Sequence, residues 1–255
     1  MKDKIIKVIQ IILVIIIIAC VGYIGKKLYR AYTTKSNQKQ IKQIVDDVSI
    51  DYESKDQNLS DFEKKELKYK AIVKKLHDQN SDVVGFLEIP GTYVSYPIMQ
   101  GEDNEFYLDK GVDKEYDEGG SVFMDYKNDR EFLDDNTVLY GHHMWIDAMF
   151  TALDDYRDQE FAQNHTTLYV ATLDGLTEYK VFSVYGVPSD YDYRTMNLPT
   201  GEEKIQYFNK LKDNSEVSID IRDFNANDRI LTLSTCQYDY EDQRLAVHAL
   251  RVTNE

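Results

Sequence analysis

The chain has 255 residues, of which 42% are hydrophobic and 29% are charged, a composition typical of a folded protein. Its formal net charge is −15, but residues 1–40 contain eight basic residues and one acidic residue, whereas residues 41–255 contain 22 basic and 44 acidic residues. Because sequence-independent nucleic-acid binding requires a cationic surface, the acidic body excludes nucleic acid as a partner.

An apolar run near the amino terminus predicts a membrane anchor. No charged residue occurs between Lys7 and Lys26. As a helix, residues 8–25 reach roughly 27 Å, enough to cross the hydrocarbon core with lysines at both ends. A secretory signal peptide is the alternative, but the run is long for one and no A-x-A-like cleavage site follows. The basic residues on either side do not fix the orientation and, taken alone, lean toward a cytoplasmic body.

The residues after the anchor read first as helices and then as short strands. Residues 37–80 have helical periodicity, and Ser60 with Glu63 forms a capping-box pattern. From residue 81, β-rich runs separated by turn residues predict strands at 83–89, 93–100, 120–125, 137–140, 167–172, 178–187, 217–221, 229–235 and 244–252. Helical inserts are predicted at 147–163 and, after a second capping pattern at Thr200, at 201–212. The pattern favours a mostly-β sandwich or barrel with N-terminal helices and helical inserts.

Cys236 is the first candidate for chemistry. It ends a predicted strand, and a second strand begins at Arg244 after an acidic, turn-like stretch. If the two strands pair as a hairpin, the cysteine and the arginine lie near each other. An isolated cysteine is about as often an inert buried residue. A neighbouring guanidinium, however, favours the thiolate and stabilises a developing oxyanion, which points to a nucleophilic cysteine.

A thiol nucleophile requires a proton-transfer partner, and two histidines qualify. His142 and His143 follow the predicted strand 137–140 and Gly141, a position where catalytic groups are often held. The residues alone do not choose between these neighbours. Acidic pairs such as Asp154 and Asp155 lack the spacing of a metal site and read as solvated surface. The sequence predicts no metal and no cofactor.

The predicted strand that ends at Cys236 reads T-L-S-T-C at residues 232–236. This pentapeptide is similar to the T-L-x-T-C signature of the sortases, membrane-anchored cysteine transpeptidases of Gram-positive bacteria. The segments at 87–100 and 120–125, and V-L-Y-G-H-H-M at 138–144, resemble further family segments, so the similarity covers roughly residues 81–255. The N-terminal helices, the Y-G-H-x-M pattern and the predicted helix 201–212 resemble class B in particular.

The resemblance implies a sortase-type closed β-barrel with a division into three parts. These are a membrane anchor with a short cytoplasmic tail (1–30), N-terminal helices (31–80) and a catalytic barrel (81–255). It nominates His142 over His143 and adds Cys236 and Arg244 as catalytic residues. Ser234 and Thr235, beside the cysteine, are expected to contact the substrate.

The implied reaction is transpeptidation through a thioester. Cys236 would cleave a C-terminal sorting pentapeptide of NPxT or related type in secreted proteins, and a peptidoglycan amine or a pilin lysine would accept the acyl group. The resemblance also implies a single-pass protein with a cytoplasmic N-terminus, membrane lipid around its helix and an extracellular catalytic domain. A cysteine hydrolase that releases the acyl group to water and a non-catalytic wall-binding membrane protein are the alternatives.

Overall fold

Eight strands form a closed β-barrel in the computed structural model, which describes residues 2–53, 59–237 and 242–252. The strands are β1 (Val83–Glu88), β2 (Ser95–Met99), β3 (Val122–Met124), β4 (Asn136–Tyr140), β5 (Thr167–Ala171), β6 (Leu176–Pro188), β7 (Ile230–Gln237) and β8 (Gln243–Arg251). Around the barrel their order is β1-β2-β3-β4-β7-β8-β6-β5. Neighbouring strands are antiparallel, except that β2 with β3 and β4 with β7 are parallel. The predicted mostly-β barrel is confirmed.

Four α-helices and two 3₁₀ helices accompany the strands in the described residues. The α-helices are α1 (Lys2–Glu53), α2 (Asp61–Gln79), α3 (Gln159–Asn164) and α4 (Gly201–Asp213), and the 3₁₀ helices are Phe106–Leu108 and Phe150–Arg157. The capping box predicted at the start of α2 is present: the Ser60 hydroxyl accepts a hydrogen bond from the Glu63 N–H, and the Glu63 carboxylate accepts one from the Ser60 N–H.

Helix α1 is continuous from the apolar run to the barrel. Its apolar side chains between residues 5 and 24 are at least 50% exposed, and the helix is long and apolar enough to cross a membrane. Its later turns contact the body: Arg30 pairs with Glu118, and Gln38 Nε2 donates to the Tyr96 hydroxyl at 2.8 Å. One helix therefore joins the predicted anchor directly to the barrel.

Strand β7, which contains Cys236, packs against apolar side chains on both of its faces. Leu231 and Leu233 pack among the apolar side chains inside the barrel. Ile230, on the opposite face, packs with α4 residues such as Phe208 and Leu211 on the outside. This alternation follows from the period of two along a strand. It fixes the register of β7, because a slip of one residue would exchange the two faces.

Two of the predicted elements are wrong. Residues 217–221 form no strand, although Val217 and Ile219 are buried as their alternation predicts. The backbone of Ser218 instead exchanges two hydrogen bonds with the side-chain amide of Gln159, at 2.7 and 2.8 Å. The insert 147–163 is not one α-helix, because its first part is 3₁₀ and Asp158 caps a new helix by accepting from the Phe161 N–H.

Candidate active site

Three adjacent strands bring the predicted catalytic residues to one end of the barrel. β4 and β7 run parallel, with Tyr140 opposite Ser234, and the Gly141 N–H still donates to the Ser234 carbonyl at 3.2 Å. His142 therefore follows β4 at the level where β7 reaches Cys236. Across the other edge of β7, Cys236 lies directly opposite Arg244 of β8. The order across the sheet is His142, Cys236, Arg244.

The hairpin predicted from the sequence is confirmed by the pairing of β7 with β8. Cys236 and Arg244 are one pair before the connection between the two strands, most of which (238–241) lies outside the described residues. Cys236 is described here by its backbone. The Arg244 side chain is partly buried, and its Nη1 donates to the backbone carbonyl of Gln243 at 3.0 Å. A guanidinium has five N–H donors, so this bond orients the group and leaves further N–H donors for another acceptor.

His142 is held by a backbone carbonyl. Its Nε2 lies 2.7 Å from the carbonyl oxygen of Leu108, in the 3₁₀ turn Phe106–Leu108. Because a carbonyl oxygen only accepts, Nε2 carries the proton, and in the neutral ring Nδ1 is then the basic nitrogen. The ring is thus fixed at one nitrogen and can exchange a proton at the other.

His143 has a different environment from its neighbour. Its Nε2 lies 2.5 Å from Oδ2 of Asp154, and its side chain is 16% exposed. Asp154, one of the acidic pairs predicted to be solvated surface, instead anchors this ring. The carboxylate of Asp155 beside it has a raised pKa, because it is partly buried and lies near Asp154 and Asp147.

Ser234 and Thr235 lie on opposite faces of β7. The Ser234 hydroxyl is 2.8 Å from the Tyr193 hydroxyl, on the outer face of the barrel. Thr235 is opposite Leu245, which belongs to the barrel interior, and its buried Oγ1 has no hydrogen-bond partner among the described residues. The expectation that both contact the substrate stays a prediction.

Two tyrosines at this end of the barrel were missed by sequence reasoning. Tyr140, the last residue of β4, donates to Asp125 at 2.9 Å, and burial beside that carboxylate raises the pKa of its hydroxyl. Tyr193 lies between β6 and α4 and is fully buried against Ser234. With 20 tyrosines in the chain, composition gave no reason to select these two. Tyr140 had a positional signal, since it is two residues before His142.

No group of three or more His, Cys, Asp and Glu side chains that could hold a metal ion occurs within residues 2–53, 59–237 and 242–252. Acyl transfer by a cysteine uses a nucleophile, a proton-transfer group and a cation beside the oxyanion, and cysteine, histidine and arginine are residue types that can fill these roles.

The chain is similar to known proteins in both sequence and structure. The sequence profile of the Sortase domain matches residues 87–252. Sortase B of Listeria monocytogenes is 38% identical over 182 residues, which cover 70% of this chain and 73% of that protein. The Staphylococcus aureus sortase B–substrate complex has a TM-score of 0.76 at 27% identity, covering 89% of this chain and 100% of the other. A sortase B complexed with a triglycine peptide has a TM-score of 0.75 at 27% identity, covering 88% of this chain and 100% of that one.

Proposed function

The chain belongs to the sortase family, as a class B cysteine transpeptidase that sorts proteins to the cell wall, and we propose which of its residues perform the reaction. Cys236 is the nucleophile, His142 transfers the protons, and Arg244 stabilises the oxyanion. The observation that supports this assignment most directly is the order His142, Cys236, Arg244 across three neighbouring strands.

In the first half of the reaction the Cys236 thiolate attacks the threonine carbonyl of the sorting signal. The carbonyl oxygen becomes an oxyanion in the tetrahedral intermediate, and Arg244 faces it with guanidinium N–H donors, together with backbone N–H groups near Cys236. The C–N bond then breaks, and His142 in its protonated form gives a proton to the leaving amine. The products are a thioester on Cys236 and a neutral His142.

In the second half an amine attacks the thioester carbonyl. His142 accepts a proton from that amine, the C–S bond breaks, and the thiolate of Cys236 is regenerated with His142 again protonated. Protons and charges therefore balance over the cycle. The thioester stores the energy of the cleaved amide, so no nucleotide is consumed.

The sorting signal and the acceptor belong to the proposal as well. We assign an NPxT-type or related pentapeptide near the carboxyl end of secreted proteins, and an amine of a peptidoglycan precursor, with a pilin lysine as the other acceptor. A relative in complex with a substrate and another complexed with triglycine support a peptide signal and an amine acceptor of this general kind. Ser234 and Thr235 are the proposed substrate contacts.

Helix α1 and the cell-wall role of the family support the location that we propose. Residues 8–25 form the proposed membrane anchor, with their exposed apolar side chains in contact with lipid. The amino terminus lies in the cytoplasm and the barrel outside, where secreted substrates and wall precursors meet it. The positive-inside count does not itself favour this orientation, since basic residues flank both ends of the run.

The experiment that tests the proposal is mass spectrometry of a trapped acyl-enzyme. The full chain in detergent is incubated with labelled pentapeptides, with and without an added amine. We expect an adduct on Cys236 that the amine converts into a new amide, in the wild type and in a Cys20→Ser control but not in Cys236→Ala. If the acyl group is released to water even when an amine is added, the protein is instead a cysteine hydrolase. Turnover unchanged in Cys236→Ala would remove Cys236 as the nucleophile.

A further inference from the structure

Helix α1 leaves its apolar run and contacts the body within two turns. The run ends at Gly25, and the described side chains of the helix remain exposed up to residue 29. Ala31 is 9% exposed and Thr34 is 1% exposed, so contact with the barrel begins at about residue 30. At about 1.5 Å per residue, the helix rises only about 9 Å from Gly25 to Ala31.

The segment that follows His142 contacts helix α1 just beyond the end of the apolar run. The Lys27 ammonium lies 4.6 Å from the ring centroid of Trp145. Lys27 is two residues beyond Gly25, which is a rise of about 3 Å. Three residues farther along α1, the Arg30 guanidinium pairs with the Glu118 carboxylate at 2.8 Å. Trp145 is therefore held almost at the level where the apolar run ends.

The thickness of the bilayer layers shows where Trp145 lies relative to the membrane if residues 8–25 span it. The hydrocarbon core is about 30 Å thick and the whole bilayer about 40–45 Å, so each headgroup layer is about 5–8 Å deep. If residues 8–25 fill the core, Lys27 and Trp145 lie within one headgroup layer. Trp145 is 53% exposed, and Tyr29 and Tyr32 are more than 70% exposed. Exposed tryptophan and tyrosine beside lysine is the composition that membrane interfaces favour.

We propose that residues 142–147, the interfacial loop, rest among the phospholipid headgroups of the membrane that α1 crosses, with Trp145 as the contact residue. This inference rests on the proposed anchor. The loop begins with His142, and a hollow of about 480 Å³ lined by Glu118, His142, His143, Met144 and Trp145 opens beside it. The candidate active site is then held at the bilayer surface, where a membrane-held substrate or acceptor reaches it without leaving the membrane.

A depth measurement on the natural fluorophore tests this placement, because Trp145 is the single tryptophan of the chain. The full chain is reconstituted into phosphatidylcholine–phosphatidylglycerol vesicles that contain lipids spin-labelled near the headgroup or deep in the acyl chain. We expect shallow labels to quench Trp145 at least twofold more strongly than deep labels, and aqueous iodide to quench it at least twofold less than an exposed control tryptophan.

The matched control moves the tryptophan to the far side of the body, in the variant Trp145→Phe/Leu173→Trp. Leu173 is 45% exposed and lines a surface hollow with Lys75, whose ammonium is 3.9 Å from Asp47 on α1. Asp47 is twenty residues beyond Lys27, about 30 Å farther along the helix. We expect no quenching by either lipid label at position 173, and full quenching by iodide.

A second variant separates anchoring from docking. A seven-residue polar helical insert after Gly25 raises the body by about 10 Å and, at 3.6 residues per turn, nearly preserves its orientation around the helix. We expect this variant to float with the vesicles while lipid quenching of Trp145 is lost. Quenching that persists would contradict a loop placed by α1.

The failure of the anchor and the failure of the inference give different results. Wild-type chain that does not float with the vesicles would overturn the anchor and the inference together. Chain that floats, but whose Trp145 is quenched by iodide as readily as the tryptophan at position 173 and not by the lipid labels, would overturn the interfacial loop and leave the anchor standing.

Discussion

At the scale of single residues, the carbonyl of Leu108 and the carboxylate of Asp154 give two adjacent histidines different environments. His142 donates from Nε2 to the Leu108 carbonyl oxygen at 2.7 Å, an acceptor that carries no formal charge. His143 Nε2 lies 2.5 Å from the Asp154 carboxylate, and a hydrogen bond to a carboxylate fixes the position of the ring. We therefore expect His142 to exchange protons during the reaction and His143 to hold its loop in place.

The first prediction separates these two roles. His142→Gln should lower kcat/KM by about 10²–10⁴, the usual contribution of a general acid–base group. His143→Gln should lower it by less than tenfold, because the amide retains a hydrogen bond to Asp154. Steady-state transpeptidation with one labelled pentapeptide measures both variants, and the thermal midpoint of each serves as the folding control. A larger loss in His143→Gln than in His142→Gln would contradict this assignment and indicate that His143 transfers the proton.

The second prediction concerns Arg244. Arg244→Ala should lower kcat by about 10²–10³, the effect of removing one oxyanion donor. Arg244→Lys should recover only part of this loss, because an ammonium lacks the planar fork of donors. Arg251→Ala, at the other end of β8, is the matched control and should retain wild-type kcat. Equal kcat values in Arg244→Ala and Arg251→Ala would remove the oxyanion role.

At the scale of elements, the Leu108 carbonyl that contacts His142 is itself packed closely against the backbone of Gly120. Gly120 has a φ of +56°, and a Cβ there would lie 2.4 Å from the Leu108 carbonyl oxygen and 2.6 Å from that of Tyr107. Only glycine fits both the left-handed backbone and this contact. The position of the Leu108 carbonyl, which holds the His142 ring, therefore depends on the absence of a side chain at residue 120.

The third prediction uses this contact. Gly120→Ala should displace the Leu108 carbonyl and lower both the unfolding free energy, by at least about 1 kcal/mol, and kcat/KM. Gly101→Ala is the control, because its nearest neighbour would be a Tyr107 ring carbon at an ordinary 3.5 Å. Urea unfolding monitored by near-ultraviolet circular dichroism, together with transpeptidation rates, measures both effects. Wild-type activity in Gly120→Ala would show that the Leu108 carbonyl does not govern His142.

The sequence predicted the elements better than the connections between them. Strand alternation and the T-L-S-T-C pattern located β7, and the hairpin argument paired Cys236 with Arg244 correctly. Residues 217–221 alternate like a strand, but alternation reports burial and does not say which groups satisfy the backbone. Here a glutamine side chain satisfies it. The contact of His142 with the Leu108 carbonyl could not be predicted either, because every residue has a backbone carbonyl and the residue type does not show which one accepts a hydrogen bond.

At the scale of the whole molecule, one buried histidine links the barrel's stability to pH. His248 of β8 is fully buried between Thr232 and Tyr185, with ring nitrogens 2.8 and 2.9 Å from their hydroxyl oxygens. The Thr232 hydroxyl donates to Asn136, so it accepts from Nδ1–H, and Nε2 accepts from Tyr185. The ring is therefore held in its neutral form, and burial lowers its pKa to about 3.

The last prediction follows from the sign of this shift. Above pH 6.5 the histidine is neutral in both the folded and the unfolded chain, and its full contribution to stability is present. Between pH 6.5 and about 3 the unfolded chain binds a proton that the folded chain does not, so the unfolding free energy falls by about 1.4 kcal/mol per pH unit. Urea unfolding of the full chain in detergent at pH 7 and pH 5 measures this loss.

Because glutamine does not titrate, His248→Gln should lose about 2 kcal/mol less than the wild type over that interval. An equal loss in both proteins would show that His248 titrates normally and that carboxylates elsewhere in the acidic body carry the pH dependence.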